Sequence, residues 1–145
     1  MKLRLTLVSL VATLALGCGK WSSGEQAQID AFRTSVVKAQ EGTGGQGGGV
    51  ALSPEAIGRA STAVRDALAA AETVGDPVLT RLHPELPAQY RQRFIPALRL
   101  RLEALDALAA GKPITARELE WQVPMAEWGD WYDRALPTLR QNIGG

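Results

Sequence analysis

Side chains able to act as nucleophiles, bases or metal ligands are scarce in this chain: it has one cysteine, Cys18, and one histidine, His83, among 145 residues. A nucleophile–base pair needs two such groups in hydrogen-bond reach, and a typical zinc site needs several nitrogen or sulfur donors. With no second histidine, and with Cys18 given another role by its setting below, neither set is evident. His83 lies in Leu82-His83-Pro84-Glu85, a setting that reads as a turn and gives the ring a structural or solvated role. The carboxylates could form a site only where the fold converges them. No catalytic, metal or cofactor-binding residues are therefore assigned, and the chain is expected not to be an enzyme.

Aromatic and charged residues offer binding instead. Trp121, Trp128 and Trp131 are spaced seven and three residues apart, so an uninterrupted helix would carry them on one face with Tyr132 beside them. In a small bundle such bulky groups fill the core. Exposed together, they would make a surface for a partner or a stacking platform for a ligand. Pro124 weakens the shared face. Arg91, Arg93, Arg99 and Arg101 crowd one segment, whereas Glu118, Glu120, Glu127, Asp130 and Asp133 crowd another. Folded as a hairpin about Gly111 to Pro113, the two segments bring opposite charges together in exposed pairs worth about 0 to 1 kcal/mol each. The alternative is a basic patch for anionic lipid or an acidic partner.

The chain opens with three zones in order: Lys2 and Arg4, an apolar run of 12 residues from Leu5 to Leu16, then Gly17 before Cys18. That is the layout of a secretory signal peptide. The run falls short of the roughly 20 residues that cross a bilayer as a helix, so residues 1–17 read as a segment that is removed. Ala15-Leu16-Gly17-Cys18 resembles the lipobox of bacterial lipoproteins, with Ala15 where Leu is commoner. The resemblance covers roughly the first 20 residues and is silent on the mature fold. It implies that the Cys18 sulfur receives a diacylglyceryl group, that the chain is cut before it, and that the new amine is acylated. That family's inner-membrane retention signal is commonly Asp at the next position. Gly19 stands there, which favours the outer membrane, with a Gram-positive cell membrane left open. A lone cysteine has no disulfide partner within the chain, and lipidation accounts for it. Residues 18–23 would form the tether, in which Trp21 and Lys20 are placed to meet the membrane interface.

From Cys18 to Gly145 the mature chain has 128 residues, enough for one domain with a single core. Without Lys2 and Arg4 it carries 14 basic and 15 acidic side chains, a balance that gives no general attraction to nucleic acid. A first helix is predicted over 24–40, with Ile29, Phe32, Val36 and Ala39 on one face and a Ser22/Glu25 capping box. Residues 41–52 form a linker in which Gly42 to Gly49 holds six glycines in eight residues, with a reach of about 15 Å. It is either a plain loop or a hinge that lets the first helix leave the others.

Residues 53–145 are assigned to a helical bundle domain. Ser53, Pro54 and Glu55 start its first helix, whose narrow face is Ile57, Ala60, Val64, Leu68 and Ala71, ending at Gly75 and Pro77. A short helix or turn precedes Pro87. A long helix with the stripe Tyr90, Phe94, Leu98, Leu102, Leu105 and Ala109 follows, kinked at Pro96. Thr115 and Glu118 open a last region, divided by Pro124, Gly129 and Pro137, with apolar Leu119, Met125, Trp128, Tyr132, Leu136, Leu139 and Ile143. The expected fold is all-α, a small antiparallel bundle of about four helices. The expected function is that of a lipid-anchored adaptor that binds another envelope protein; the alternative is a ligand-binding lipoprotein that uses the aromatic cluster.

Overall fold

The computed structural model describes residues 20–44, 52–113 and 115–144. The expected signal peptide over residues 1–17, Cys18, the glycine-rich residues 45–51 and the side chain of Glu118 lie outside them.

The fold is an all-α bundle. Helix α1 runs Ser23–Thr43, and its predicted capping box forms in full, with the Ser22 hydroxyl accepting from the Glu25 amide and the Glu25 carboxylate from the Ser22 amide. Helix α2, Pro54–Glu72, is capped by Ser53 with proline in its first turn. Gly75 does not close it: Thr73 is its C-cap, and Gly75 starts the short α3, Asp76–Leu82. The fourth helix, α4, is continuous through Leu86–Gln89, a π-helical turn Tyr90–Phe94, and Ile95–Ala109. In that turn the Ile95 amide reaches back five residues to the Tyr90 carbonyl. Pro96 has no N–H, and its ring would collide with the carbonyl a regular turn earlier. The widened turn just before it relieves both problems. Helix α4 ends at Gly111, whose φ of 71° suits glycine. The Gly111 amide bonds the Leu108 carbonyl and the Lys112 amide that of Ala107, a Schellman closure.

The last helix, α5, departs from expectation. Thr115 opens only a 3-10 turn, Ala116–Leu119, and α5 begins at Gln122 and runs unbroken to Gly144. Pro124 sits in the first turn, where its missing amide has no partner to lose. Pro137 is exposed, while Trp131, Ala135 and Leu139 are buried on either side of it.

Contacts fix the helix directions. The Gln28 side chain near the start of α1 accepts from the Gly75 amide below α2, while Gly42 near its end lies against Ala60 and Val64. Those helices are therefore antiparallel. Phe32 packs on Tyr90 and the Gly42 carbonyl accepts from Arg101, so α4 runs with α1. Trp21 meets Asn142 and Thr43 lies near Met125, so α5 runs against α1. One pole gathers the start of α1, α3 and the end of α5. The other gathers the end of α1, the start of α2 and the α4–α5 connection.

The core draws on every helix. Ile29, Phe32, Val36 and Ala39, the predicted stripe of α1, are all buried, so α1 shares one core with residues 53–145. On α4, Tyr90, Phe94, Leu98 and Leu105 are buried and Leu102 is half-buried, but Ala109 is exposed and Arg101 is buried in its place. On α2 the face turns slightly, burying Ala63 and Ala67 while Ile57, Ala60 and Leu68 pack at its margin.

Candidate functional site

The four aromatic residues singled out near the C-terminus do not form one surface. Because α5 is continuous, Trp128 and Trp131 fall on its inward face and are 4% and 6% exposed. Tyr132 is half-buried and stacks on Trp128 at a centroid distance of 5.5 Å. Trp121 precedes the helix, so its ring lies elsewhere, beneath the Arg101 guanidinium at 4.6 Å. Its buried indole N–H has no acceptor among the described residues.

Trp128 joins a chain of rings. It packs on Phe94 at 4.6 Å, Tyr90 at 5.9 Å and Trp131 at 5.5 Å. The Tyr90 hydroxyl lies 2.6 Å from Ser35 Oγ, which itself donates to the Phe32 carbonyl, so Tyr90 is the donor in that pair. Burial pushes the Tyr90 hydroxyl up to about 12. Trp131 donates to Glu85 at 2.8 Å and meets the edge of His83. His83 Nδ1 accepts from the Glu85 amide at 3.2 Å, a turn-forming contact of the kind its sequence setting suggests.

Between α1 and α5, above these rings, lies a groove of about 260 Å³ lined by Phe94, Met125, Trp128 and Tyr132, with Gln40 and Asp133 among its polar residues. Gly129 also borders it, and a Cβ there would meet nothing within 4 Å. The groove can accept a slender apolar or aromatic group.

Charges pair partly as expected. Arg93 bridges to Glu127 at 3.2 Å, joining α4 to α5. Arg91 and Arg99 turn away from α5, to Asp76 at 3.1 Å and Glu72 at 3.9 Å. Arg101 is drawn inward: it donates to the Gly42 carbonyl at 3.2 Å, and burial pushes its guanidinium down to about 10. Charge crowding groups it with the other arginines of α4, whereas its spacing of three from Leu98 and four from Leu105 puts it on their buried face. Only its partners were hidden, since its acceptor lies on α1 and its aromatic contact beyond the next turn.

Trp21 and Lys20, placed by sequence at the membrane interface, are engaged with the domain. The Trp21 indole donates to the Asn142 carbonyl at 3.1 Å, and the Arg81 guanidinium lies 3.9 Å from its ring centre. Arg81 also donates to the Lys20 carbonyl at 2.8 Å and pairs with Glu25. Bonds from the Ser22 amide and then from Arg81 hold the Glu25 carboxyl below its usual range. Neither Arg81 nor Asn142 stood out in the sequence, since one sits in a short helix and the other at a chain end.

Among the described residues no cluster of His, Cys, Asp and Glu could hold a metal ion, and no helix is long and apolar enough to cross a membrane. The chain matches no protein-family model, no curated protein and no solved structure.

Proposed function

We propose that the chain is an exported protein held on a bacterial envelope membrane by lipid on Cys18, the outer membrane being favoured. Its bundle then serves without catalysis, as an adaptor that binds another envelope protein. The observation that carries the reading is Ala15-Leu16-Gly17-Cys18 directly behind a basic and apolar leader. Support for the adaptor role comes from how the domain uses its side chains. Trp128, Trp131 and His83 are taken up by internal contacts, while Leu119 and Val123 stay 44% and 67% exposed at the pole remote from Trp21. Isolated apolar side chains on a surface are ordinary, and these two are the ones a partner at that pole would meet.

Capture of the native lipidated protein from membranes tests this. One envelope protein recovered in constant ratio, and lost with Leu119→Lys and Val123→Lys, is the expected result. A small molecule that co-purifies instead, and disappears with Tyr132→Ala, would favour a second reading, a ligand-binding lipoprotein. The observation on its side is the groove over Trp128 and Tyr132.

A further inference from the structure

The two poles of the bundle differ in how they relate to the anchor. At one of them, three elements close on Lys20 and Trp21, the described residues nearest to Cys18. The Trp21 indole is bonded to the end of α5 and covered by Arg81 of α3, and Arg81 holds the Lys20 carbonyl and Glu25 of α1. Asn142 ties the same corner together by donating to the Leu82 carbonyl at 2.9 Å. From Cys18 to Lys20 there are two residue steps, a reach of about 7 Å at full extension. Acyl chains on Cys18 could therefore enter a bilayer only beside this pole.

We propose that the pole formed by Lys20, Trp21, α3 and the end of α5 is the bilayer-facing surface, and that the Trp21–Arg81 clamp turns a lipid tether into a fixed stance. This rests on lipidation of Cys18. Trp21 acts in it as a joint of the domain, since its N–H and one ring face are occupied by protein. The charges here are mixed: Lys20 and Arg81 stand with Glu25, and Arg91 with Asp76. A zwitterionic lipid surface is accordingly sufficient, and attraction to anionic headgroups is not what sets the stance. Residues 86–109 rise away from this pole by about 35 Å at 1.5 Å per residue, which places Lys112, Leu119 and Val123 outward, where a partner can reach them.

The experiment uses the full acylated chain in phosphatidylcholine vesicles that carry a headgroup-linked quencher. A fluorophore is placed through Thr80→Cys on α3 or Lys112→Cys at the far pole. Quenching is expected to be several-fold stronger at position 80 and to persist in high salt. Trp21→Ala, or Arg81→Ala where the first variant folds poorly, is expected to bring the two positions toward equality while the protein still sediments with vesicles. Equal quenching at both positions in protein whose mass shows the acyl chains would overturn the stance alone. A difference that survives both substitutions would remove the clamp as its cause. Protein that lacks acyl mass and does not sediment would overturn the lipid reading, and the stance with it.

Discussion

Trp128 touches four other aromatic rings at centroid distances from 4.6 to 5.9 Å, and its truncation would open a cavity that none of those planar neighbours can fill by a rotamer change. Trp128→Ala is expected to cost about 3 to 5 kcal/mol, measured by thermal or urea unfolding; a loss below about 1 kcal/mol would mean that the ring packs loosely. Tyr90 gives a pH-dependent counterpart. Its hydroxyl is raised to about 12 in the folded chain from an ordinary value of 10.0. The native state thus keeps a proton that the unfolded state releases, and the contribution is complete below the lower value and lost as pH climbs to the higher. Wild-type protein should lose about 2 to 3 kcal/mol across that window relative to Tyr90→Phe. Arg101 shifts in the opposite direction with opposite sign, but it is common to both proteins and cancels in the difference. Urea unfolding of the pair on either side of the window checks this, and parallel curves would contradict it. Tyr90 was legible as core from its place in the α4 stripe. Its hydroxyl partner Ser35 was not, because a buried serine on α1 carries no periodic signal of its own.

At the level of elements, signals held within a few residues were readable and signals across helices were not. The Ser22/Glu25 box and the Ser53-Pro54 start are local chemistry, and both helices begin where that chemistry places them. Gly42 shows the limit. Glycine density marked it as linker, yet it is buried in the last turn of α1, where an added Cβ would lie 2.5 Å from Val64 Cγ2 and 3.2 Å from the Ala60 carbonyl. The glycine is there because α1 and α2 cross at that point, a fact about two helices that composition cannot express. Gly42→Ala should therefore destabilise by about 1 to 3 kcal/mol through overpacking, although alanine is the better helix former. Stabilisation of the purified variant in a melting experiment would show that the helices part easily here. Pro124, Gly129 and Pro137 misled in the opposite sense. Each weakens an isolated helix, but one falls in a first turn and Pro137 faces water, while the buried Trp128, Trp131 and Leu139 hold the helix against the core.

For the molecule as a whole, the bundle and the anchor make different demands. The core is built from side chains of α1 to α5, so the domain is expected to fold with or without lipid. On the proposed lipidation, location would depend on the acyl chains: one myristoyl-length chain binds only reversibly at about 0.8 kcal/mol per buried CH₂, and stable residence needs more than one chain or a second signal. From Cys18 on, the described residues offer no other such signal, given the balanced charge of that segment and the absence among them of a helix able to cross a membrane. The decisive measurement is membrane fractionation of cells fed labelled palmitate, comparing wild type with Cys18→Ser. Label is expected on the wild-type protein, with retention in the membrane fraction through high-salt washing, and for Cys18→Ser no label, with an uncleaved precursor or a misprocessed soluble form. Wild-type protein that takes up no palmitate and washes off in salt would contradict the proposed lipidation.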